Sequence, residues 1–174
     1  MTAFVALLRG INVGTAHRVA MSDLRTLLSD ELGYEDVRTV IVSGNVSFTA
    51  GGSAASHEKK ISAALAERFG FAIPTQVRTA TDVRKLLDAN PFAGAPVKEL
   101  HVVFLSSQPD PSTLPAARDI APDEVATGER CVYLRLRNGF TGTKIPDMST
   151  TQKGLIATSR TVATIEKLLA VADA

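Results

Sequence analysis

Residues Ala3 to Leu8 are almost continuously apolar, and a run of that kind suits a strand covered on both of its faces. Such a strand belongs inside a sheet, so the rest of the chain must supply strands beside it and layers over it. The run ends in Arg9-Gly10-Ile11-Asn12-Val13-Gly14, which brings a cation, two glycines and an amide. Glycine permits backbone angles barred to other residues and lets a ligand approach the main chain closely. The spacing G-x-x-x-G matches neither the dinucleotide fingerprint nor the phosphate loop that ends in Gly-Lys-Ser/Thr. It predicts a binding loop and names no ligand.

Helical spacing follows at Leu24, Leu27, Leu28 and Leu32, with Ser22 as an N-cap and Gly33 as a stop. Val37 to Ser43 and Val46 to Thr49 read as two strands paired around a two-residue turn at Gly44-Asn45. Ile61, Ala64, Leu65 and Phe69 mark a second helix ending at Gly70, and Ile73 to Arg78 a fourth strand. The order strand, helix, strand, strand, helix, strand is that of a ferredoxin-like, or split βαβ, unit. In that unit the first and third strands lie inside and the fourth at an edge, where Pro74 can be tolerated. Phe4, Leu7, Leu24, Leu28, Ile41, Phe48, Ile61, Leu65 and Val77 are expected to share one core.

A helix over Thr81 to Asn90 bridges to a second half that repeats the order. Its strands are Leu100 to Ser106, Glu124 to Thr127 and Cys131 to Arg137, with Gly128 in the turn between the last two. A short helix lies near Pro115 to Asp119, and a last helix runs from Val162 to Ala172. The final strand is missing or reduced to Leu155 to Thr158. The fold class is thus α+β, with two ferredoxin-like units in tandem and the second modified; one larger α+β domain is the alternative. The halves are 1–80 and 100–174, joined by a helix and loop at 81–99. A long loop at 138–161 has no periodicity, unless it hides a helix around Met148 to Gly154.

Several ordered motifs carry a resemblance. They are the opening L-R-G-I-N-V-G, V-R-T-x-I-x-S-G-N-V-x-F at Val37 to Phe48, Asn90-Pro91-Phe92, Leu100 to Leu105, and T-x-R at Thr158 and Arg160. With these the chain resembles, over nearly its whole length, the family called domain of unknown function 1697. The resemblance implies little about activity, because that family is uncharacterised. Thr15 stands where a further glycine is usual, and Thr161-Val162-Ala163 where the family often has Asn-Trp-Asn.

The chemistry is sparse. In 174 residues, 19 basic and 18 acidic side chains leave a formal net charge of +1, so no global field draws the chain to nucleic acid or to a membrane. Cys131 is the only cysteine, which excludes an internal disulfide and a multi-thiolate zinc site and fits a reducing, cytoplasmic setting. His17, His57 and His101 are too scattered for a metal, and no cofactor is implied. His101, in an apolar strand, reads as a packed histidine rather than a proton carrier. No membrane-length apolar run occurs.

The candidate ligand-binding residues are Arg9, Gly10, Asn12, Gly14, Ser43, Asn45, Lys144 and Arg160. Arginines and small polar groups at strand ends suit a phosphate or carboxylate, so the favoured partner is a small anionic ligand, with Arg9 facing Arg160. A nucleic-acid module using Tyr133, Arg135 and Arg137 on one strand face is the rival, disfavoured by an aromatic content of 5%. An enzyme with an unrecognised site near the same loop is the other.

Overall fold

The apolar run forms β1 (Thr2–Leu8), which pairs antiparallel with β3 (Asn45–Ala50) on one side and β4 (Thr75–Thr79) on the other. The computed structural model describes residues 1–174 and divides them into two units. The first comprises Met1–Arg84 with Glu166–Ala174, and the second Lys85–Ile165.

In the first unit β2 (Glu35–Val40) completes a four-stranded antiparallel sheet of order β2-β3-β1-β4. The first and third strands are inside and the fourth is at an edge, as the apolar pattern requires. Side chains alternate across a strand, so Phe4, Ala6, Leu8, Val46, Phe48 and Val77 fall on one face. They pack with Leu24, Leu28, Ile61 and Leu65 from the helices. α1 (Met21–Thr26) runs on into a π-helical turn at Leu27–Glu31, and α2 (Ala54–Phe69) begins at Ser53, whose hydroxyl accepts from the Ser56 N–H.

Four local expectations are corrected here. Leu7 is buried, yet three residues from Phe4 put it on the opposite face, with Val5. Ile41 is 53% exposed and lies in a turn. That turn is Ile41 to Gly44, four residues rather than two, because Val40 pairs directly with Asn45. Ala20, not Ser22, occupies the N-cap of α1, without a side-chain cap. Pro74 precedes β4 and offers its carbonyl to the Arg9 N–H at 2.9 Å, so its missing donor leaves no gap in the ladder.

The chain enters the second unit within α3 (Ala80–Asp88) and leaves it within α5 (Val162–Ala172). Its strands are β5 (Leu100–Leu105), β6 (Glu124–Gly128), β7 (Cys131–Arg135) and β9 (Ala157–Thr161), in the order β6-β7-β5-β9. The final strand is complete, pairing with β5 from His101–Thr161 to Leu105–Ala157. Thr-Ser-Arg-Thr carries no apolar alternation, so its sequence does not announce a strand. The β6–β7 turn is Glu129-Arg130, and Gly128 is the last strand residue. A Cβ there would come within 2.6 Å of Cys131 Sγ and of the Tyr133 ring, so close packing requires the glycine.

Short pieces of structure break up the stretch read as a long loop. β8 (Arg137–Phe140) lies outside the four-stranded sheet, and a 3-10 turn at Met148–Thr150 stands where a longer helix was the alternative. Asp147 Oδ1 caps that turn by accepting from the Ser149 N–H at 2.9 Å. Ile145, Met148 and Leu155 are buried with Val103, Val132 and Leu134, which anchors the segment to the second core. α4 (Ala117–Ile120) adds Ile120 to the same cluster.

Candidate functional site

In the first unit one side chain ties the loop after β1 to itself and to the neighbouring turn. The Asn12 amide nitrogen donates to the Val19 carbonyl at 2.8 Å and to the Val42 carbonyl at 2.7 Å, while its oxygen accepts from the Val19 N–H at 2.9 Å. The Asn12 N–H also donates to the His17 carbonyl at 3.1 Å, closing the loop on itself. Asn12 and His17 have φ of 55° and 53°, and Gly10 and Gly14 have φ of 73° and 65°. Four left-handed residues in so short a span need glycine or a locally bonded side chain, and both devices are present. The exposed segment 13–18 is therefore preshaped.

The expected partners of this loop, Ser43 and Asn45, flank it through the neighbouring turn. Asn45 is fully buried, and its amide nitrogen donates to the Val40 carbonyl at 3.0 Å and to Ser43 Oγ at 3.2 Å. Gly44 between them has φ of 84°, its carbonyl accepts from the Leu8 N–H at 2.8 Å, and a Cβ on it would meet Leu8 Cβ at 2.7 Å. Ser-Gly-Asn is thus a clasp on the end of β1, and Arg9 follows that clasp directly.

Sequence reasoning passed over the second face of this sheet. Asn45, Ser47, Gln76 and Arg78 are buried there beside Val5 and Leu7. Arg78 donates from Nη1 to the Val77 carbonyl and from Nη2 to Gln76 Oε1, each at 3.0 Å. Strand register sets Arg38, Ser47, Val5 and Arg78 in one row across the four strands. The available signal was the polar residue at alternate positions of otherwise apolar strands, which reads equally well as a solvated face.

Lys144 and Arg160 belong to the second unit. Lys144 is exposed and borders a cavity of about 60 Å³ with Asp123, Asn138 and Thr143. Arg160 is half-buried on β9 and donates from Nη1 to Thr158 Oγ1 at 2.9 Å and to the Ser159 carbonyl at 2.8 Å. Burial brings its guanidinium down to about 10, so it stays charged at neutral pH.

The strand considered as a nucleic-acid platform carries no uncompensated basic strip. Tyr133 is buried and donates from its hydroxyl to the Leu86 carbonyl at 2.7 Å, and burial raises its phenol. Arg135 donates to Glu99 and Glu124, each at 3.0 Å, and Arg137 lies within 4.0 Å of both glutamates, so two cations face two carboxylates. His101 is buried against Phe140, with ring centroids 4.9 Å apart, and burial lowers its pKa.

A family model described as protein of unknown function (DUF1697) matches residues 1–133. The chain belongs to that family. In this DUF1697 protein the matched stretch includes the loop after β1 and the Ser43-Gly44-Asn45 clasp. No curated protein matches it. Its fold is similar to that of the conserved bacterial protein SP0830 from Streptococcus pneumoniae, with a TM-score of 0.77, 22% identity and 98% of each chain covered. No helix is long and apolar enough to cross a membrane.

Proposed function

We propose that this DUF1697 protein binds a small anion, a phosphate or carboxylate, at the loop that follows β1. The observation that carries the reading is the Asn12 clasp. One amide makes three hydrogen bonds whose effect is to hold an exposed, glycine-bearing loop in a fixed shape. Loops positioned in this way on a rigid sheet are where binding groups are concentrated. Successive backbone N–H groups in a turn with left-handed residues make an anion-binding concavity. Arg9 at its mouth adds a planar fork of donors that matches phosphate or carboxylate geometry. The setting is cytoplasmic, in keeping with the single buried thiol.

The reading is tested by titrating the intact protein with inorganic phosphate and pyrophosphate while following thermal unfolding. Ligand at about 100 times its dissociation constant adds about 2.7 kcal/mol. That corresponds to a rise of roughly 5 to 10 °C for a chain of this size. Arg9→Ala abolishes most of the rise, and Lys85→Ala, on an exposed side chain, leaves it intact. A rise that survives Arg9→Ala unchanged refutes the assignment.

A further inference from the structure

Besides the loop after β1, the first unit holds a cavity of about 190 Å³ beside β2 and β3, lined on its other side by residues 171–174. Ser47 lines it, is 1% exposed, and its Oγ has no hydrogen-bond partner within the protein. A buried hydroxyl without a partner costs free energy, so such a group points to something that completes it. Arg38 and Asp36 also line the cavity. The Arg38 guanidinium donates from Nη1 to the Val171 carbonyl at 3.1 Å and forms no ion pair, so it has further donors to offer in the cavity it lines with Ser47, its partner in the strand register.

Charge selects the occupant. Among the lining side chains, Arg38 and Asp36 contribute one charge of each sign, and Asp173 is paired with Arg84. The C-terminal end of α5 adds partial negative charge. A simple anion would suit Arg38 and be repelled by Asp36 and the helix end. A simple cation would suffer the reverse. A molecule with a carboxylate and an ammonium a few bonds apart satisfies both ends at once. The volume corresponds to about six waters, room for a molecule of roughly six to eight non-hydrogen atoms.

We infer that this cavity is a binding site for a small zwitterion of the α-amino acid class. Its carboxylate lies on Arg38 and the Ser47 hydroxyl, with Thr49 alongside, and its ammonium lies toward Asp36 and the end of α5. The site is separate from the loop after β1 and does not depend on what that loop binds.

The test is an amide NMR titration of the isotopically labelled full chain with L-alanine and L-serine. Acetate and ethylammonium serve as half-ligand controls. Saturable shifts at the amides of Arg38, Ser47 and Thr49 are expected with the amino acids, and about tenfold weaker binding with either control, since each forfeits one set of charge-assisted bonds. Ser47→Ala removes a hydroxyl that nothing in the protein uses, so it folds, and it weakens amino-acid binding. Arg38→Met weakens it further, while Lys59→Ala, on the exposed side of α2, does not. Unshifted amides, acetate binding as tightly as alanine, or full affinity in Ser47→Ala would each overturn the inference.

Discussion

Asn12 and Val42 stand 30 positions apart and are joined by a 2.7 Å hydrogen bond from the Asn12 amide to the Val42 carbonyl. The loop after β1 and the turn between β2 and β3 are thereby one structure, although each is local in sequence. Asn12→Ala removes this bond and both bonds to Val19. At about 1 kcal/mol net for each, with partial replacement by water, and with about 1 kcal/mol more for alanine in the left-handed backbone that Asn12 adopts, the loss is roughly 3 kcal/mol. Urea unfolding measures it, and faster hydrogen exchange confined to residues 10–19 and 41–44 identifies the cause. A loss spread evenly over the sheet would show that Asn12 does not act through the loop.

Ile41 has φ of 51° and is 53% exposed. A β-branched side chain in left-handed backbone costs about 1 to 2 kcal/mol, and an exposed one regains little by burial. Ile41→Asn, better tolerated in that conformation, therefore stabilises the protein by about 1 kcal/mol. The midpoint of urea unfolding rises accordingly. A fall would mean that the isoleucine side chain itself supports the turn.

His57 is buried in an aromatic box, its ring centroid 4.8 Å from that of Phe4 and 5.0 Å from that of Tyr34. Nε2 lies 2.9 Å from the Gly51 carbonyl, which can only accept, so that nitrogen carries the proton. Nδ1 then accepts from the Tyr34 hydroxyl at 2.8 Å. Burial lowers the His57 pKa, opposed by the bond to Gly51 and aided by Lys60. The unfolded chain, with an ordinary pKa of about 6.5, thus binds more protons below that pH than the folded one. The contribution is complete above about pH 6.5 and is lost as pH falls toward the lowered folded value, and His101 acts in the same direction. Unfolding midpoints should hold steady from about pH 8 to 7 and decline below about 6.5, less steeply in His57→Gln. An equally steep decline in that variant would remove His57 as the source.

The order of elements in the first unit and its helix-facing core were legible from residues alone. Phe4, Leu24, Leu28, Phe48, Ile61, Leu65 and Val77 follow periods of 2 and 3.6, which report on one face of one element at a time. Less was legible of the site. Gly10 and Gly14 announced a loop, but not that Asn12 spends its amide on holding it. The residue types of Ser43 and Asn45 suggest ligand groups but do not reveal that their side chains bond to each other and that Asn45 also bonds to the Val40 carbonyl.

The sequence by itself determined an α+β fold class, and that β1 lies inside its sheet while the polar, glycine-bearing segment after it forms a loop. These follow from local composition and alternation, which need no knowledge of partners. Only the tertiary structure decided that Asn45, Ser47, Gln76 and Arg78 are buried, that Val40 pairs with Asn45, and that Ser47 sits opposite Arg38 in a cavity lined also by residues 171–174. A polar residue at alternate strand positions looks the same whether its face is wet or covered. The register that brings two such residues together is set by pairing between segments far apart in the chain.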